Sequence, residues 1–310
     1  MMAPVIDPDR WFIVVNPVSG GGRALRFQPR LTAALRRAGL PYDCVVSGAP
    51  GDAARHFASA VREGRRRLLS VGGDGTLNEL INGLKASAAP ADECLVAAAA
   101  GGTGNDWSRT MQIPDDPESL VACMARGRAR RVDIAVAEGA DGKQIAFHSV
   151  AGAGLDAEVL RRTPRSGPRA LAYLFGLART LAAYRAPEFE ITVDGRITRG
   201  RFLLVLASIG PRCGGGMRLA PGAVVDDGLL DLLTIDPLPF SGALARLPKL
   251  FDGRLAGDPA FHVVRCRSAT IRCESNCGVE VDGQESGSTP VTVTVRPGAL
   301  RALDCRDSAE

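Results

Sequence analysis

The sequence predicts two segments of different grammar, an N-terminal doubly wound α/β domain and a C-terminal antiparallel β-sandwich. Two observations carry this. Three apolar runs in the first 110 residues each end in a glycine-rich turn and feed a helix-like segment. Beyond about residue 132 the runs instead alternate apolar and polar residues, with Asp-Gly turns between them. The expected domains are 1–132 and 133–296, with 297–310 a candidate for returning to the first.

In chain order, Trp11–Val15 is the first strand and runs into Asn16-Pro17-Val18-Ser19-Gly20-Gly21-Gly22. Ala24 to Ala38 has helical spacing, with Leu25, Leu31, Leu35 and Ala38 on one face and Gly39 as a stop. Asp43–Val46 is a short strand and Asp52–Glu63 a second helix. Leu68–Val71 then meets Gly72-Gly73-Asp74-Gly75-Thr76. Thr76 and Glu79 have the spacing of a capping box, which opens a helix expected to end at Gly83. Leu95–Ala100 meets Gly101-Gly102-Thr103-Gly104-Asn105-Asp106, and Asp115–Arg126 is a further helix.

In the second half, Val132–Val136, Phe189–Val193, Val279–Val281 and Thr292–Val295 have the period of half-buried strands. Turns are expected at Asp141-Gly142, Asp194-Gly195 and Asp282-Gly283. One inserted helix, Ala170–Ala183, is expected among them. From Val159 to Pro187 there is no acid, while Arg161, Arg162, Arg165, Arg169, Arg179 and Arg185 are present. Such a segment suits an anionic membrane surface, and it equally suits packing on the sandwich with solvated Arg at its ends.

Composition narrows the function classes. Hydrophobic content of 45% and charged content of 23% are those of a globular protein, and a net charge of +4 specifies no partner. Nucleic acid is not among the partners expected. Three His, far apart, and eight Cys without a C-x-x-C pair disfavour a zinc enzyme or a Ser-His-Asp hydrolase. The Cys read as small buried apolar residues in a reducing compartment. Met1–Arg10 lacks the apolar core of a signal peptide, and no apolar run approaches the roughly 20 residues that span a bilayer. The expected location is the cytoplasm, at most against the inner membrane surface.

Glycine lets main-chain amides approach a phosphate, and each following helix adds its positive end. A Walker loop and a Rossmann G-x-G-x-x-G are both missing. Asp74, an acid among three glycines, could hold Mg²⁺ or accept a proton from an attacking hydroxyl, or it could cap its own turn.

The three turns together, Asn16-Pro17-Val18-Ser19-Gly20, Gly72 to Glu79 and Gly102 to Asp106, resemble the diacylglycerol kinase catalytic family of lipid kinases. The family includes bacterial soluble lipid kinases, sphingosine kinases and ceramide kinases. The resemblance implies ATP in a cleft between the domains, lined by Asn16, Pro17, Ser19, Gly20, Ser47, Gly72, Gly73, Asp74, Gly75, Thr76, Asn78, Glu79, Gly102, Thr103, Asn105 and Asp106. Asp74 would lie near the γ-phosphate, and the acceptor would be a hydroxyl of a diacylglycerol, sphingoid or related lipid. Asp226-Asp227-Gly228 resembles the family's Mg²⁺ turn, with Asp227 and the carbonyls of Val224 and Leu229 as ligands. The same dipeptide often makes a plain hairpin turn. Gln284 occupies the place of the family's proposed base, a Glu, and Glu285 stands one position late. Neutral Gln is a poor proton acceptor. Either Glu285 substitutes, or Asp74 serves alone, or catalysis is weak or lost. A nucleotide- or lipid-binding homologue and a kinase of a soluble substrate such as NAD are the rival readings, and the sequence leaves oligomeric state open.

Overall fold

The structure is a computed structural model, and it describes residues 7–162, 180 and 183–306. The chain divides into two compact units, residues 1–133 with 298–310, and residues 134–297.

The first unit holds a parallel sheet. Its strands are β1 (Trp11–Val15), β2 (Tyr42–Val46), β3 (Arg67–Gly72) and β4 (Leu95–Ala100). They lie in the order β2-β1-β3-β4, and the end of β16 (Val291–Leu303) adds to β4 through Arg301 and Ala302. Strands β3 and β4 are buried along nearly their whole length, because helices cover both faces of a parallel sheet. The helices are α1 (Arg23–Arg37), α2 (Asp52–Arg62), α3 (Asp74–Ser87), α4 (Asp106–Thr110) and α5 (Pro117–Arg126). α2 packs on α3, and α1 on α5. The chain leaves β1 toward one edge and β3 toward the other, so strand order reverses between them. A parallel sheet forms its ligand crevice at the carboxyl ends beside such a reversal.

Several local expectations need correction. α3 runs through Gly83 to Ser87, because α2 lies so close that a Cβ at Gly83 would stand 2.6 Å from the Ala54 carbonyl oxygen. Gly83 is there for packing and does not stop the helix. No capping box forms. Gly73 is the N-cap, Thr76 Oγ1 accepts from Asn16 Nδ2, and Glu79 Oε2 accepts from the Ala54 amide. On α1 the buried residues are Ala24, Leu31, Ala34 and Leu35, and Leu25 is 45% exposed. The helix expected from Asp115 starts at Pro117, where the Asp116 side chain caps it by accepting from the Ser119 amide at 2.8 Å.

The second unit is a β-sandwich. In one sheet the start of β16 pairs β13 (Ser268–Cys273), followed by β8 (Glu188–Val193) and β9 (Arg196–Arg201). The hairpin of β5 (Ala129–Gly139) and β6 (Gln144–Phe147) joins it. The other sheet runs β12 (Phe261–Cys266), β11 (Leu230–Ile235), β10 (Leu204–Ser208), β7 (Val150–Gly154), β14 (Gly278–Val281) and β15 (Gln284–Ser288), all antiparallel. Phe147, Phe189, Val205, Leu232, Ile271 and Val293 fill the core between the sheets. Asp194-Gly195 and Asp282-Gly283 take positive φ, the conformation of tight hairpin turns.

Strands β7 and β10 are buried on their outer face as well. There α6 (Leu155–Arg162), α7 (Phe240–Arg246) and α8 (Lys249–Asp252) supply apolar cover. A single inserted helix was expected, and these three are too short to show a helical period in sequence. The expected helix Ala170–Ala183 lies outside the described residues except at its end. Cys273 and Cys277 form a disulfide across a tight turn at Asn276, so the free-thiol reading fails for these two. Cys94, Cys123, Cys213, Cys266 and Cys305 are buried, and Cys44 is half-buried.

Candidate active site

The three glycine turns of the first unit meet at the carboxyl ends of β1, β3 and β4. The Asn16 amide donates to the Val71 carbonyl at 3.0 Å and the Gly101 amide to the Gly72 carbonyl at 2.8 Å. Small side chains make this convergence possible. A Cβ at Gly20 would stand 2.4 Å from the Gly101 carbonyl oxygen, and one at Gly102 would stand 2.3 Å from the Gly73 Cα. Asn105 clamps the third turn by accepting from the Gly102 amide and donating to the Gly102 carbonyl. Arg23 Nη1 donates to the same carbonyl at 3.0 Å, which brings a cation to the turns from the first residue of α1.

Asp74 opens α3, yet its carboxylate reaches across to α4, accepting from the Asp106 amide at 3.2 Å and the Trp107 amide at 3.1 Å. It therefore ties the second turn to the third. Asn16, Thr76 and Ser47 are tied into the same scaffold, Ser47 by donating to the Val15 carbonyl. Pro17 and Ser19 lie within the first turn, Gly75 is the second residue of α3, Thr103 is exposed, and Asn78 and Asp106 are buried. Glu79 is engaged at the start of α2, away from the turns. The arrangement offers clustered amides, helix N-termini and Arg23, the equipment for holding a polyphosphate.

In the second unit Asp282 is buried and accepts from the amides of His148, Ser149 and Val150 at 3.0–3.1 Å, with His148 Nε2 3.5 Å from Oδ2. This pins the β14–β15 turn to the start of β7. Gln284 and Glu285 follow on β15, both exposed, and Glu285 Oε1 lies 3.6 Å from Arg161 Nε. At the Asp226-Asp227 turn, Asp227 Oδ1 accepts from the Leu229 amide and Oδ2 pairs with Arg265. This turn lies at the end of the long connection from β10 to its neighbour β11 and is not a tight hairpin between them. Val224 is close by in sequence and exposed.

A cavity of about 190 Å³ lies between the outer face of β7, β10 and β11 and the helices α6–α8. Leu204, Leu206, Ile235, Val159, Leu247 and Leu250 line it. Two acids share that lining, Asp156 on α6 and Glu280 on β14. Glu280 is 5% exposed, and Asp156 Oδ2 is shut off from solvent beside it. Desolvation, and for Glu280 the charge of Asp156 beside it, disfavours their ionised forms. Asp156 is pushed up to about 7, and Glu280 well above the ordinary carboxylate range. Sequence reasoning missed this pair, whose members are 124 positions apart (280 − 156) and carry no motif.

Residues 10–137 match the diacylglycerol kinase catalytic domain, and residues 149–304 match the YegS C-terminal NAD kinase beta sandwich-like domain. A Pseudomonas fluorescens protein named "Probable lipid kinase YegS-like" is 32% identical over 93% of this chain and 94% of its own length. The chain belongs to the diacylglycerol kinase family. A diacylglycerol kinase of Staphylococcus saprophyticus is 27% identical over 90% of each chain. The crystal structure of a diacylglycerol kinase from Bacillus anthracis, 22% identical, covers 96% of this chain and 97% of its own, with a TM-score of 0.73, and shares the fold. As a member of this family the chain is an ATP-dependent kinase. Among the described residues no helix is long and apolar enough to cross a membrane.

Proposed function

We propose that this kinase transfers the γ-phosphoryl group of ATP to a hydroxyl of a diacylglycerol, a sphingoid or a related lipid. The apolar cavity of the second unit carries the reading. An alkyl chain gains about 0.8 kcal/mol for each buried CH₂, and the cavity exceeds the roughly 150 Å³ that accommodates benzene in an engineered core. A polar acceptor such as NAD would find few partners along Leu204, Leu206 and Ile235. The relatives named lipid kinase and diacylglycerol kinase support the same acceptor class.

The nucleotide reading rests on the three turns. Amides of Gly20, Gly21, Gly73, Thr103 and Gly104 would cradle the phosphates, with Arg23 supplying positive charge. Catalysis of this kind is mostly positioning and charge neutralisation. Asp74, already bonded to two amides, holds the turns in register and is a poor candidate for a proton acceptor.

For Mg²⁺ the chemistry of the Asp227 turn fits, since one carboxylate and the carbonyls of Val224 and Leu229 form an oxygen-only set. Arg265 would have to yield one carboxylate oxygen. Bound there, Mg²⁺ would neutralise the acids of the turn and brace the loop leading into β11.

Gln284 favours one other reading, a homologue that binds nucleotide and lipid with weak or lost turnover. Labelled ATP offered with dioleoylglycerol, sphingosine, ceramide and NAD separates the possibilities. Label in a lipid supports the proposal and label in NAD overturns it. ATP binding with no labelled product in the presence of Mg²⁺ points to the inactive homologue.

A further inference from the structure

The acceptor's proton has no evident destination if the base is sought at its expected place. Gln284 is neutral, Glu285 is exposed beside Arg161, and Asp74 is held by the amides of Asp106 and Trp107. Yet the cavity contains a carboxyl pair that nothing described so far uses. Glu280 lies on the strand that enters the Asp282-Gly283 turn, and its Oε2 accepts from the Gly283 amide at 2.7 Å. Its neighbours Val279 and Val281 point into the sandwich core, so the strand's alternation turns Glu280 to the opposite face, where the cavity is. Asp156 meets it from α6, so closely packed that a Cβ at Gly152 would stand 2.1 Å from Asp156 Oδ2.

We propose that the Asp156–Glu280 pair hydrogen-bonds the reacting hydroxyl of the acceptor lipid and takes up its proton, the task left open by Gln284. The inference rests on the lipid kinase reading. The acceptor's O–H bond breaks and its proton passes to a carboxylate oxygen of the pair. The oxygen bonds to the γ-phosphorus while the bond from that phosphorus to the β–γ bridging oxygen breaks, and the electron pair leaves with ADP. The proton then returns to water.

Three features favour the pair over a purely structural role. Both carboxyls are buried at the cavity wall, where an acceptor hydroxyl would meet them. No Lys or Arg side chain forms an ion pair with either acid among the described residues, since Arg246, which also lines the cavity, is bonded to Asp258. The Asp156 carboxyl, pushed up to about 7 by desolvation, is also matched to the task, because a general base works best with a pKa close to the working pH. The charged and titratable groups around the pair are Asp282 on the turn, Glu158 and Arg161 on α6 and Tyr184 ahead of β8. Burial and the nearby acids push the Tyr184 hydroxyl up, so it stays neutral.

The test uses the full chain, with dioleoylglycerol and sphingosine as acceptors in mixed micelles. In wild type, kcat should rise with pH between about 6 and 8. Glu280→Gln and Asp156→Asn, both isosteric, should each lower kcat by about 100-fold with KM changed less than about threefold, and should flatten the pH profile. Gln284→Glu in the Glu280→Gln background should restore at least about tenfold. A loss of kcat below about threefold in both variants, or a wild-type profile flat across this range, overturns the assignment. Should one variant fold poorly, the other variant and the wild-type profile still decide. Wild type that labels neither lipid overturns the lipid kinase reading and this inference with it, whereas an active wild type with unaffected variants overturns the inference alone.

Discussion

Replacing Gly102 by Ala tests whether the three glycine turns form one close-packed phosphate cradle. The new Cβ would stand 2.3 Å from the Cα and 3.0 Å from the amide nitrogen of Gly73. Unstrained carbon contacts lie at about 3.5–4.0 Å, so the two backbones must part by about 1.2 Å. Neither has room to yield easily. Gly102 is held by Asn105 and Arg23, and Gly73 starts α3. Overpacking of this kind costs about 1–3 kcal/mol, which lowers the melting temperature by roughly 2–12 °C in a domain of this size. A shift of about 1 Å in the turn amides should also weaken ATP binding by at least about tenfold. Gly222→Ala is the control, since a Cβ there meets nothing within 4 Å. Differential scanning fluorimetry and titration with ATP read both effects. Melting within about 1 °C of wild type together with unchanged ATP affinity would refute the packing argument.

Asp74→Asn keeps one acceptor but turns an NH₂ toward an amide, so the protein should lose about 1–3 kcal/mol and kcat together. A fall in kcat with urea stability unchanged would instead make Asp74 a purely chemical residue. The Asp156–Glu280 pair binds protons more tightly in the folded chain than in the unfolded one, because burial raises both pKa values. Its contribution is thus complete below the ordinary carboxylate range and is lost as pH climbs toward about 7. Urea melts from pH 4 to 8 should show wild type losing stability over this span and Glu280→Gln losing less. Equal slopes count against the buried pair. Millimolar Mg²⁺ should raise the melting temperature of wild type and leave Asp227→Asn unmoved; an equal rise in both would place the ion elsewhere.

The α/β half was readable because β1, β3 and β4 are buried, apolar and closed by glycine, a pattern local to each segment. The Asp-Gly turns of the sandwich announced themselves similarly, through residues that tolerate positive φ. What escaped depends on contacts between distant segments. Gly83 resembles a helix stop until α2 is seen against it, and Glu79 resembles a cap until the Ala54 amide claims it. Asp74 proved to be bonded to α4, which no spacing within its own turn foretells. Asp156 and Glu280 become a pair only when α6 folds over β14, and the cavity they share needs three helices too short to show a period.

The most direct test of the central claim pairs the cavity with the reaction. Labelled ATP is offered with dioleoylglycerol, sphingosine and NAD to wild type and to Leu206→Trp, which fills the cavity from β10. The account predicts label in a lipid with wild type, its loss by at least about tenfold in Leu206→Trp, and ATP affinity equal in both, as expected for a pocket of the second unit alone. Lipid phosphorylation undiminished in a folded Leu206→Trp, or label found only in NAD, would contradict it.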